Sequence, residues 1–149
     1  MVAETSQHQT SLRVERNISI AAPIRVAFES LLEQLGPGGV MPDGTPMSMK
    51  LEAWPGGRWF RDLDQGSGHL WGQVQVIKPP TLLEISGPLF MSYPALSHVQ
   101  YRLTEQNGET TLQLCHRAIG ELDPAHCEGV EHGWSHQLQQ IKERAERNS

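Results

Sequence analysis

Acid–base, metal or nucleophilic chemistry in this chain would have to be built on seven histidines, two cysteines and two tyrosines. His116 is the leading catalytic candidate, because an imidazole titrates near neutrality and can serve as a general acid or base or as a hydrogen-bond partner for a ligand. The competing reading of His116 is a satisfied structural histidine, and both stand at this stage. His132 and His136 are spaced i, i+4 with Glu128 one turn earlier, the spacing of a two-histidine metal site on a helix. Cys115 and Cys127 are too few for a disulfide scaffold, and neither resembles an activated thiol, which would need a neighbouring cation or a helix N-terminus; Cys127 is near such an N-terminus but on the packed side. No GxSxG, P-loop, GxGxxG or HExxH pattern occurs, so serine-hydrolase and nucleotide chemistry have no support.

The elements that would position these groups are legible from hydrophobic periodicity. Leu12, Val14, Ile18 and Ile20 alternate with polar residues as a half-buried strand. Ile24, Ala27, Phe28, Leu31 and Leu35 follow as an amphipathic helix that starts at Pro23 and ends at the Gly36-Pro37-Gly38-Gly39 run. Strands are predicted at about 47–54, 57–64, 69–78, 81–87, 95–106 and 109–119, consecutive hairpins that imply an antiparallel sheet. Asn107-Gly108 is a two-residue hairpin turn, which makes Gln106 face Glu109. Counting outward, Leu103 meets Leu112, Tyr101 meets Leu114, Val99 meets His116 and Ser97 meets Ala118 on one face. Arg102 with Gln113, Gln100 with Cys115 and His98 with Arg117 make the other. His116 and Tyr101 therefore belong to the apolar face, where Tyr101 could act as a proton donor beside His116.

Asp123 and Pro124 then open a long C-terminal helix. At roughly 100° per residue, Cys127, Val130, Trp134, Leu138, Ile141 and Ala145 form one stripe, while His132 and His136 lie roughly 160° from Trp134. The histidine pair is accordingly read as a solvated face, and neither a metal nor a cofactor is expected. The stripe must pack on the apolar face of the sheet, so the predicted fold class is α+β: a curved antiparallel sheet wrapped around a long C-terminal helix, with a shorter helix after the first strand. Gly129 and Gly133 are costly inside a helix, and either close backbone approach or an opening to a cavity would explain them.

The order of several segments carries a resemblance over about residues 12–145. Ala21-Ala22-Pro23 precedes the first helix, and Pro55-Gly56-Gly57-Arg58-Trp59 comes next. Gly72-Gln73-Val74 then runs to Lys78-Pro79-Pro80 and Leu83, and Ser97-His98-Val99 to Leu103. Leu112-Gln113-Leu114-Cys115-His116 and a late Gly133-Trp134 complete the series. Together they resemble the SRPBCC superfamily, and more closely its bacterial branch related to activators of the heat-shock-protein-90 ATPase. The resemblance implies a helix-grip fold, shared with START lipid-transfer domains, birch-pollen-type allergens and polyketide cyclases, with a cavity between sheet and long helix. It also favours a ligand-facing His116, since a histidine recurs there. One departure is that many relatives carry tryptophans after the first helix, where this chain has Gly36 to Pro42; the cavity mouth differs accordingly, and no relative's ligand is carried over.

Residues 1–11 read as a polar tail and 12–147 as a single domain, with 38% hydrophobic residues and no transmembrane run. A formal charge of −5 disfavours nucleic acid as a partner. Few cysteines and no secretory leader point to the cytoplasm, and the chain is expected as a monomer or homodimer. Trp59, Trp71, Phe90, Tyr101 and Trp134, with Met47, Met49 and Met91, exceed what a sheet-on-helix core needs. The predicted ligand-binding set is Met49, Trp59, Tyr101, Leu114, His116, Trp134 and Leu138, in a cavity between the helix stripe and the sheet. The leading function is binding of a small apolar or aromatic molecule. The alternatives are a cyclase, dehydratase or hydrolase using His116, which needs a second ionisable group such as Arg61 or Glu84 beside it, and a co-chaperone-like interaction module.

Overall fold

The Asn107-Gly108 turn dictates the centre of the fold. In the computed structural model, which describes residues 9–47 and 49–149, Asn107 and Gly108 adopt φ of 55° and 78°. A type I′ hairpin requires positive φ at both positions, and asparagine and glycine accept it most readily. Strand β6 (Ala95–Gln106) therefore returns along β7 (Glu109–Leu122) in the predicted register, with Tyr101 opposite Leu114, Val99 opposite His116 and His98 opposite Arg117.

Around this hairpin lie β1 (Gln9–Ile20), β2 (Met49–Leu51), β3 (Arg58–Asp62), β4 (Gly68–Lys78) and β5 (Leu82–Gly87). All pairings are antiparallel, in the order β1-β7-β6-β5-β4-β3-β2. Register shifts in the β1–β7, β3–β4 and β4–β5 pairings bend the sheet, as an extra residue on one strand does. The strand ends that differ most from the sequence reading are those of β1, β2 and β7. β7 runs on to Leu122, and its longer edge gives Gln9 and Ser11 backbone partners at Leu122 and Ile119. Backbone pairing needs no apolar side chain, so part of the expected polar tail is strand; residues 1–8 lie outside the described residues. β2 is three residues long because its ladder with β3 ends at Leu51 and Trp59.

Helix α1 (Ile24–Leu35) follows Pro23 and stops at Gly36, as its periodicity predicts. Helix α2 (Pro124–Asn148) begins where the Asp123 carboxylate accepts a hydrogen bond from the Ala125 amide at 3.0 Å. Its buried residues are Cys127, Val130, Trp134, Leu138, Ile141 and Ala145, the stripe read from the sequence. From Val130 onward that stripe joins Val14, Leu83, Val99, Leu103, Leu112 and Leu114 in one core, while Cys127 packs with Met91, Ala118 and Leu122 in a smaller one. Polar contacts fix the C-terminal half of α2: Lys142 donates to the Ser19 carbonyl, Glu146 accepts from the Ala21 amide, and Gln140 accepts from Gln34 of α1. The fold is thus α+β, a seven-stranded curved antiparallel sheet gripping a long C-terminal helix. Among the described residues no helix is long and apolar enough to cross a membrane.

Candidate functional site

His116 points inward, as its register requires, and is fully buried. Its Nδ1 accepts from the Trp134 indole N–H at 2.9 Å, and its Nε2 lies 3.0 Å from the Ser97 hydroxyl. Indole is a donor only, so the neutral ring carries its proton on Nε2 and donates it to Ser97. The Ser97 hydroxyl in turn faces the Met91 sulfur. Burial pushes the imidazole down to about 4, which keeps it neutral at physiological pH. Both ring nitrogens are used within the fold, and the second ionisable group that catalysis would need is elsewhere. Glu84 accepts from Gln100 and pairs with His98, while Arg61 faces a different hollow.

Tyr101 is likewise sealed. Its hydroxyl donates to Gln137 at 2.7 Å, and burial raises its pKa further above the ordinary tyrosine value. Leu114 and Leu138 are buried in the core. The space expected between the stripe and the strands carrying Tyr101, Leu114 and His116 is filled by Trp134, whose ring makes edge contacts with both Tyr101 and His116.

The cavity lies beside the stripe, along one flank of α2. It holds about 530 Å³, within the usual range for small-molecule sites. One wall is an aromatic cluster in which Trp59, Trp71 and Phe90 meet edge to face at centroid distances of 5.2 to 5.7 Å, with Phe90 also 5.5 Å from Trp134. The Trp59 indole N–H is anchored on the Leu35 carbonyl at the end of α1, so the ring is fixed by an otherwise unpaired helix-terminal acceptor. Met41, Met47 and Met49 close the side after α1. The helix wall is built by Gly129, Gly133, His136 and Gln137. A Cβ added at Gly129 or Gly133 would meet nothing within 4 Å; the two glycines face an opening and not a close backbone approach.

Of the predicted ligand-binding set, Met49, Trp59 and Trp134 line this cavity, whereas Tyr101, Leu114, His116 and Leu138 do not. Tyr101 reaches it at one remove, through Gln137. The reading of His136 as solvated is also corrected. His132 is exposed, but His136 is half-buried at the cavity edge with a Nε2 that is shut from solvent and lacks a partner. Helical phase alone placed it opposite the core; the chain between α1 and β2 covers that flank instead. The signal available in the sequence was the pair of helical glycines, one and two turns before Gln137 on the same flank. Cys127 is buried with its thiol pushed up by burial, and Cys115 faces the other side of the sheet. Among the described residues no cluster of three or more His, Cys, Asp or Glu is placed to hold a metal ion.

A solved structure similar to this one is protein MLL2253 from Mesorhizobium loti, at 19% identity and a TM-score of 0.67, covering 93% of this chain and 98% of that one. The di-domain ARO/CYC StfQ of the steffimycin biosynthetic pathway aligns at 14% identity and a TM-score of 0.65, over 93% of this chain and 52% of its own. Ara h 8.0201 aligns at 13% identity and a TM-score of 0.68, over 91% and 97%. At these identities the likeness is one of fold. None of the curated proteins matches the chain significantly. The sequence profile described as "Activator of Hsp90 ATPase homolog 1-like protein" matches residues 29–146, from within α1 nearly to the end of α2 and so across every wall of the cavity. With the gripped helix and the curved sheet, that match places the chain in this family and in the SRPBCC superfamily to which it belongs.

Proposed function

We propose that the protein binds a small apolar or aromatic molecule in the cavity on the flank of α2. The observation that carries this reading is an aromatic and methionine lining set around a buried polar atom without a partner, His136 Nε2. The other polar side chains at the cavity are already engaged: Gln34 with Gln140, Gln137 with Tyr101, and His126 with Tyr93. A buried polar atom without a partner costs free energy that a ligand's hydrogen bond would recover. Methionine side chains adapt to irregular apolar shapes, which suits such a lining. The expected setting is the cytoplasm, as a monomer or homodimer with no nucleic-acid partner. Catalysis by His116 receives no support from its surroundings, where both ring nitrogens have neutral partners.

Native mass spectrometry of freshly purified protein should reveal a co-purified small molecule, and the neutral probe N-phenyl-1-naphthylamine should bind with enhanced fluorescence. Gly133→Leu projects a side chain into the cavity from a position with free space, so it should weaken probe binding at least about tenfold while the protein stays folded. A wild-type protein that takes up no probe, or equal binding by a folded Gly133→Leu variant, would overturn the reading and bring the interaction-module alternative forward.

A further inference from the structure

A second hollow adjoins the cavity and differs from it in chemistry. It encloses about 390 Å³ beside the β3–β4 hairpin and the segment after β5, and it shares Trp71 and Phe90 with the apolar cavity. Its basic side chains are Arg61 and His69, and no carboxylate lines it. The two residues are opposite one another in the β3–β4 ladder, so their side chains leave the same face of the sheet. Met49 is the β2 partner of Arg61 and lines the apolar cavity, which puts the guanidinium on the cavity side of the sheet.

Arg61 is half-buried, and no hydrogen bond or ion pair engages its side chain among the described residues; its Nε is both shut from solvent and unpartnered. Among the described residues Arg102, Arg117 and Arg147 also lack a hydrogen bond or ion pair, but they are exposed to water, whereas the other arginines are engaged. Arg13, Arg16, Arg25 and Arg58 each hold a glutamate, and Arg144 donates to the Gly38 carbonyl. In a chain with seventeen acidic against twelve basic residues, a half-buried guanidinium that no carboxylate pairs with is unusual, and the neighbouring Asp62 is taken by Lys50. The planar fork of arginine matches a carboxylate or sulfonate, and a site partly out of water strengthens that pairing.

We propose that Arg61 forms an anion subsite continuous with the apolar cavity, so that the ligand is an amphipathic anion. Its apolar or aromatic body lies along Trp71 and Phe90, and its carboxylate or comparable oxyanion pairs with the Arg61 guanidinium. This rests on the binding reading above and names the chemical class of the ligand.

Two probes with the same ring system separate the two ideas: neutral N-phenyl-1-naphthylamine and its sulfonate, 1-anilinonaphthalene-8-sulfonate. The sulfonate should bind the wild-type protein about tenfold more tightly, and added salt should weaken the sulfonate only. Arg61→Met should remove that preference and leave the neutral probe within about twofold, and Arg61→Lys should restore part of it. Arg61→Gln serves as the second charge-removing variant should Arg61→Met fail to fold. Equal affinities of the wild type for the two probes, or equal loss of both in a folded Arg61→Met or Arg61→Gln protein, would overturn the anion subsite while leaving the cavity reading intact. Binding of neither probe to the wild type would overturn the cavity reading itself.

Discussion

The two sides of α2 are built on opposite principles. The stripe centred on Trp134 is closed: large side chains interlock with the sheet, and its polar atoms are consumed in the Trp134–His116–Ser97 chain. The flank of Gly129, Gly133 and His136 is open: backbone faces free space, and a buried ring nitrogen has no partner. One helix therefore supplies both the rigid grip and the cavity wall. An inward-facing histidine is a poor guide to function here, because both ring nitrogens of His116 are already satisfied inside the core.

Substitution on the closed side of α2 should have the largest effect. Trp134→Ala should cost about 3–5 kcal/mol in chemical denaturation, since it opens a void and strips His116 of its indole donor. A Tm drop of roughly 10 °C should accompany it. A loss below about 1 kcal/mol would mean that the stripe is as loosely packed as the flank.

The next largest effect is pH-dependent. His116 titrates at about 4 in the folded protein and near 6.5 when unfolded. Between these values the unfolded chain binds a proton that the folded chain refuses, so stability falls as pH falls from about 6.5 to 4. The change is up to about 3 kcal/mol and is complete below the folded value. Denaturation at a series of pH values should show this slope in the wild type and a flatter one in His116→Gln. Parallel slopes would mean that His116 is not held neutral by burial in the folded protein.

The smallest effect belongs to the open side. Gly133→Ala should leave stability unchanged or raise it by up to about 1 kcal/mol, because alanine is the better helix former and its Cβ meets no neighbour. A destabilised Gly133→Ala protein would show that the flank packs against something after all.

The register of the β6–β7 hairpin, the six-residue stripe of α2 and the inward direction of His116 were all legible in the residues alone. The physical reason is that each depends on local rules: the φ angles of Asn107-Gly108, the two-residue period of a strand and the 3.6-residue period of a helix. Side-chain phase also separated buried Cys127 from Cys115. It left Tyr101, Leu114, His116 and Leu138 indistinguishable from cavity residues, because facing inward does not say whether the space ahead is full or empty. Only the tertiary structure decided that. Trp134 fills the space over Tyr101 and His116, and the chain from Val40 to Met47, with no periodic pattern of its own, covers the flank that helical phase had assigned to water. The cavity, the half-buried His136 and the unpaired Arg61 come from how separate elements meet, and that depends on volumes and distances across the fold that no local period encodes.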